Sequence, residues 1–133
     1  MKKYILSLVV FGLITFNNLA QEVWTGATST DWTVDSNWQD GSSPGTEANG
    51  LTIGAGLSYY PVITGGVVIA GAISIASGAT LTIDGGYIKR SFVTTFVNDG
   101  TVIIKNNGAI DINPSENING GGTFQYVRNL ATS

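Results

Sequence analysis

Apolar and polar positions alternate in short bursts along the second half of the chain, and a glycine introduces most bursts. Gly71-Ala-Ile73-Ser-Ile75, Gly100-Thr-Val102-Ile-Ile104 and Gly108-Ala-Ile110-Asp-Ile112 place apolar residues two and four positions after the glycine. Gly66-Val-Val68-Ile-Ala70 and, more loosely, Gly122-Thr-Phe124-Gln-Tyr126 repeat the phrase, and Gly78-Ala-Thr-Leu81-Thr-Ile83 repeats it with one extra residue. A period of two after a turn residue marks a strand buried on one face. The pattern predicts strands over 51–54, 62–64, 67–70, 72–76, 80–84, 87–89, 92–97, 101–105, 109–112 and 123–127. Glycine and asparagine fill the intervals, where positive φ suits sharp corners. After residue 20 no window carries apolar residues at three-and-four spacing, so helix is not expected.

Two all-β architectures share this alternation. In a short parallel β-solenoid each strand pairs with the strand one coil on, about 4.8 Å away. Ile73, Ile75, Leu81, Ile83, Val102, Ile104, Ile110 and Ile112 would then stack inward. In an antiparallel β-sandwich or meander, Asn98-Asp99-Gly100 and Asn106-Asn107-Gly108 would be hairpin loops. The identical resetting of the apolar phase after successive glycines favours the solenoid, with about three coils of roughly 20–25 residues.

The first twenty residues read differently. Lys2 and Lys3, an apolar run from Tyr4 to Phe16 and a small residue at Ala20 make a signal peptide over 1–20, leaving Gln21 as the new N-terminus. The run is shorter than the ~20 residues of a membrane span. Secretion or display on the cell surface follows as the expectation, with no membrane span after signal removal. Beyond the signal only Lys89, Arg90, Lys105 and Arg128 are basic, against nine acidic residues, a balance unsuited to nucleic acid. The chain has no cysteine and no histidine, so disulfides, thiol catalysis and the common triads cannot be assembled. No cofactor and no enzymatic activity are expected.

All three tryptophans, Trp24, Trp32 and Trp38, fall within 21–50, which we read as a cap; residues 51–133 are read as the repeats. Pro44-Gly45 and Asn49-Gly50 are turn signals near the junction. Two uses suit the tryptophans. They form a sugar-stacking platform with Asp31, Asn37 and Asp40 bonding hydroxyls, or they plug the open end of the first coil, where large rings bury most area. Asp35-Ser-Asn37-Trp-Gln-Asp40-Gly41 begins like a calcium loop but has Asp40 at the sixth place and Thr46 at the twelfth, so no metal is expected. Lys89-Arg90 suggests charge neutralisation of an acidic sugar, although no partner stands at a recognisable spacing. Thr80/Thr82 and Thr94/Thr95 do not recur regularly enough for an ice-binding array. The aromatic last run, Thr123 to Val127, is followed by no polar cap. An open apolar edge recruits other strands, so the chain is expected to be the front part of something longer or to associate end to end through its C-terminal edge.

Trp24-Thr-Gly26, Asp31-Trp32 and Ser36-Asn37-Trp38, followed by the turn at Gly41 to Pro44, resemble the N-terminal segment of secreted surface proteins of Bacteroidetes. Tyr60-Pro61-Val62-Ile63, Ser77-Gly78-Ala79-Thr80-Leu81-Thr82-Ile83, Asn98-Asp99-Gly100-Thr101 and Gly120 to Phe124 resemble the later passages of those proteins. The resemblance implies a right-handed β-helix-like region exported as the first part of a modular cargo of the type IX route. It supplies no catalytic residue. The C-terminal sorting domain common in such proteins does not appear before Ser133, and without one the periplasm is the expected destination. The function that follows is a non-catalytic spacer, stalk or adhesin segment, or else a carbohydrate-binding module using Trp24, Trp32 and Trp38, with polysaccharide or another surface protein as partner.

Overall fold

The computed structural model describes residues 21–90, 95–112 and 118–128. The signal-like residues 1–20, the first half of the strand expected at 92–97, and Ala131 to Ser133 lie outside the described residues. Short strands follow one another without an α-helix among the described residues: β1 (Glu22–Trp24), β2 (Glu47–Ile53), β3 (Val62–Thr64), β4 (Val67–Ile75), β5 (Thr80–Asp84), β6 (Tyr87–Arg90), β7 (Phe96–Asn98), β8 (Thr101–Lys105), β9 (Ala109–Ile110), β10 (Ile118–Asn119) and β11 (Thr123–Val127). One turn of 3-10 helix, Asp35–Asn37, interrupts the segment between β1 and β2.

Each pairing between these strands is parallel. One sheet runs β1-β2-β4-β6-β9, with β7 and β10 continuing from β4, and the other runs β11-β8-β5-β3. Leu51 pairs with Ile73, Ile73 with Phe96 and Phe96 with Ile118, so the backbone returns to the same place once per coil. Among the described residues, antiparallel contact is confined to the isolated bridges Trp24–Trp38 and Thr64–Gly85. The chain is a β-solenoid, and the antiparallel sandwich is excluded.

Alternation sends every second side chain into the stack. Trp24, Ile53 and Ile75 form one inward row that Asn98 continues; Leu51, Ile73 and Phe96 form a second; Ile63, Ile83 and Ile104 form a third. Leu81 lies under Val102 and Val68 under Ile88, all buried. Removing a buried aliphatic side chain from water contributes about 1.5–3 kcal/mol. Burial then fades upward. Ile110 and Ile112 are only half-buried, and Tyr126, in register above Ile104, is 70% exposed.

Four of the phrase-opening glycines owe their place to close packing and not to positive φ. A Cβ at Gly71 would lie 2.1 Å from the carbonyl oxygen of Asn49, at Gly100 2.4 Å from that of Ala79, at Gly108 2.5 Å from that of Ile83, and at Gly122 2.4 Å from that of Gly100. In each case the obstacle is the backbone one coil below. Positive φ occurs at other corners, including the consecutive Asn106 (51°) and Asn107 (64°).

The expected boundaries shift in several places, and the strand expected at 109–112 ends at Ile110. β2 begins at Glu47, so Asn49-Gly50 lies within a strand: Gly50 pairs with Ala72, and the ladder overrides the local turn preference. The expected strands at 67–70 and 72–76 are one strand, β4, whose first half pairs with β6 and whose last residues pair with β7. β1 and β10 have too few residues to show a period, and pairing with a longer neighbour defines them.

Candidate functional site

The tryptophan segment closes the N-terminal end of the stack. Trp24 stands in register with Ile53, and Trp38 crosses its ring edge-on, 5.1 Å between centroids at 89°. Trp32 meets Trp38 at 4.7 Å and 82° and lies 6.5 Å from Trp24 at 15°. Edge-to-face geometry suits the ring quadrupoles. Trp24, Trp32 and Trp38 are 1%, 4% and 3% exposed. Each indole nitrogen donates to a backbone carbonyl: Trp24 Nε1 to Tyr59 at 2.9 Å, Trp32 Nε1 to Gly45 at 2.9 Å and Trp38 Nε1 to Trp32 at 3.0 Å. The three rings come together as one cluster but present no open face on which a sugar would stack. Their chemistry is that of a plug.

Asn37 organises the loop around them. It is fully buried; its Oδ1 accepts from the backbone N–H groups of Thr28 and Ser29 and from the Thr28 hydroxyl, at 2.9–3.0 Å. Its Nδ2 donates to Ser29 Oγ at 3.0 Å and to the Asp31 carbonyl at 2.9 Å, and its own carbonyl accepts from Thr25 N at 2.8 Å. A buried amide so fully satisfied rigidifies its surroundings. Sequence reasoning offered Asn37 to a sugar or a cation; no local signal distinguishes such an exposed donor from an internal hub. The nearby carboxylates also serve the loop. Asp31 Oδ1 accepts from Thr33 N and Oγ1, which holds its carboxyl below the ordinary value, Asp35 Oδ1 accepts from Ser43 N, and Asp40 Oδ1 from Ser42 N.

One cleft borders the plug. Asp31, Trp32, Thr46, Ile63, Thr64 and Val68 line a depression of about 230 Å³ where the cap meets the first coils. At the opposite end a larger groove of about 590 Å³ runs between the turn after β8 and the strand β11.

The remaining candidates separate in space. Lys89 and Arg90 are neighbours on a strand and therefore face opposite ways: Lys89 is exposed, whereas Arg90 is buried with its guanidinium carbon 5.4 Å from the centre of the Phe96 ring. They cannot act jointly on one acidic sugar. Asp84 pairs with Lys105 at 3.1 Å and accepts from Asn106 Nδ2 at 2.6 Å, contacts that lower its carboxyl pKa. Tyr87 and Asp111 interact on an outer face, and burial together with that carboxylate pushes the phenol upward. Glu22 is raised, mainly by desolvation and secondarily by Asp40.

Parallel coils, a single inward stack and a terminal aromatic plug define a capped β-solenoid. The chain belongs to the family described as Domain of unknown function (DUF8693), which it matches over residues 23–133. No curated protein and no solved structure matches it.

Proposed function

We propose that this chain is a non-catalytic, exported structural module, a spacer, stalk or adhesin segment of the cell surface. The observation that carries the reading is the difference between the two ends of one continuous stack. At the N-terminal end three buried indoles seal the core. At the other end Ile118, Tyr126 and Val127 remain exposed on the last rungs, where a further layer stacks or a partner docks. Between them, backbone ladders and interdigitated aliphatic rows transmit load along the axis and leave no cleft in which acid–base groups converge among the described residues. The lysine-led apolar run ahead of Gln21 supports export, and the resemblance to secreted Bacteroidetes proteins supports a surface destination.

The test joins localisation to mechanics. Produced in a Bacteroidetes host, the chain should be recovered outside the cytoplasm with Gln21 at its N-terminus by mass spectrometry. Held by its two ends in a single-molecule pulling experiment, the purified chain from residue 21 to 133 should unfold as one cooperative unit. Retention of residues 1–20 on protein held in the cytoplasm overturns the export reading, and piecemeal opening of separate segments overturns the load-bearing stack.

A further inference from the structure

The chain contains three Asn-Gly pairs, Asn49-Gly50, Asn107-Gly108 and Asn119-Gly120, and the fold holds each of them differently. In such a pair the backbone nitrogen of the glycine readily attacks the preceding carboxamide, because no Cβ hinders its approach. The reaction also needs local freedom to turn the glycine peptide toward the side chain. All three asparagines are exposed, so the backbone decides which pair reacts.

Asn49 lies inside β2. Turning the peptide after it would break the pairing of Gly50, Leu51, Thr52 and Ile53 with β4, and Gly50 is buried. Asn107 lies in a turn whose Gly108 N–H donates to the Lys105 carbonyl at 2.9 Å, so the attacking nitrogen is engaged. The next N–H, of Ala109, donates to the Gly86 carbonyl at 3.0 Å and anchors the chain again at once. Asn119 is different. It is the last residue of β10, a strand of two residues paired with β7. Gly120 is exposed, lies beyond the ladder at a φ of 105°, and its N–H meets no acceptor among the described residues. The hold on the chain resumes only after the reacting pair, where Gly121 N donates to Asp99 Oδ1 at 3.2 Å and Gly122 N to the Asn98 carbonyl at 2.7 Å.

We infer that Asn119-Gly120 is a self-modifying site, which in the folded chain converts to aspartyl and isoaspartyl forms while the other two pairs stay intact. The Gly120 nitrogen attacks Cγ of Asn119. A C–N bond forms, the Cγ–Nδ2 bond breaks, and the amide nitrogen leaves as ammonia with the proton that Gly120 gives up. Water then adds to either carbonyl of the five-membered imide and opens it, to aspartate or to isoaspartate. Both products add a negative charge, and the isoaspartyl form also inserts a methylene into the backbone at the end of β10. The pairing of β10 with β7 loosens as the protein ages, whereas the coils beneath keep their ladders. The inference is independent of the scaffold reading and of export.

The experiment keeps the purified chain from residue 21 to 133 warm at mildly alkaline pH for several weeks, beside a second sample in concentrated guanidinium. Both are digested, and each Asn-Gly peptide is weighed and assayed for isoaspartate. In the folded sample the Asn119 peptide should gain one mass unit at least tenfold faster than the Asn49 and Asn107 peptides, and in guanidinium that difference should vanish. Asn119→Gln should abolish the gain at this position with unchanged melting, because the side chain is exposed and the longer amide closes a ring far more slowly. The inference is overturned by Asn49 or Asn107 reacting as fast as Asn119 in the folded chain, by a difference that persists in guanidinium, or by an Asn119 peptide that reacts only when unfolded. Those outcomes leave the scaffold reading intact, since pulling and localisation decide that separately.

Discussion

The indole nitrogen of Trp38 donates to the backbone carbonyl of Trp32 at 3.0 Å, out of contact with solvent, and so ties the Trp38 ring to the turn that carries Trp32. Trp38→Phe keeps an aromatic ring but removes that donor, leaving the Ser43 hydroxyl as a partner of the same carbonyl. It should cost about 1–3 kcal/mol in urea denaturation, and Trp38→Ala about 3–5 kcal/mol. An unchanged midpoint for the alanine variant would show that the rings are not a plug.

Asn37 is the second point of failure. Asn37→Ala removes at once the buried partner of the Thr28 and Ser29 N–H groups and of the Asp31 carbonyl, with an expected loss of about 2–4 kcal/mol. Hydrogen exchange should localise the effect: amides of residues 25–38 lose protection at lower free energy than those of β5 and β8.

Depth in the stack orders the effect of a buried charge. Ile104→Asp places a carboxylate in the core and should unfold the chain, at a loss of several kcal/mol. Ile110→Asp lies on a half-buried rung, where the carboxylate reaches water, and should cost only about 1–2 kcal/mol. Thermal melts of the two variants separate them; equal losses would refute the gradient of burial along the axis.

The glycines divide by what stands over them. Gly100→Ala and Gly108→Ala drive a methyl into backbone and should cost about 2–3 kcal/mol or more. Gly54 has open space around its Cβ position and no positive φ, so Gly54→Ala should change stability by less than about 0.5 kcal/mol. Chemical denaturation of the three variants provides the comparison.

Opposed carboxylate shifts shape the acid response, and Asp84 and Glu22 show the two signs. The Asp84 carboxyl is lowered first by Asn106 and then by Lys105, so its contribution is present above the unfolded value of ~3.9 and disappears as pH falls through the lower folded value. Glu22 is shifted the other way. Its charged form is disfavoured in the folded state, so its effect on stability worsens as pH rises through the raised folded value. Asp84→Asn should therefore lower the melting temperature at pH 7 but not at pH 2. Glu22→Gln should raise it at pH 7 and leave it unchanged at pH 2. Melting curves of both variants across pH 2–7 check the signs.

The inward rows were readable without coordinates because alternation along one strand is local: a residue two places from Ile73 faces the same way whatever lies beyond it. That is why Ile75, Leu81, Ile83, Val102 and Ile104 are all buried as their spacing implies. The same rule separates Lys89 from Arg90, although the adjacency of their charges hid it. What alternation cannot carry is the identity of the neighbour across the ladder. Parallel winding, the merging of two expected strands into β4, and the recruitment of Asn49-Gly50 into β2 follow from backbone bonds between residues about twenty positions apart. Gly100 and Gly108 were legible as corners but not as points of contact with the coil beneath, since a missing Cβ and the carbonyl it avoids meet only through space. The tryptophans illustrate the same division. Their composition announced a cluster of aromatic area, yet exposed and buried rings carry one sequence signature, and it took the folded loop around Asn37 to turn all three faces inward.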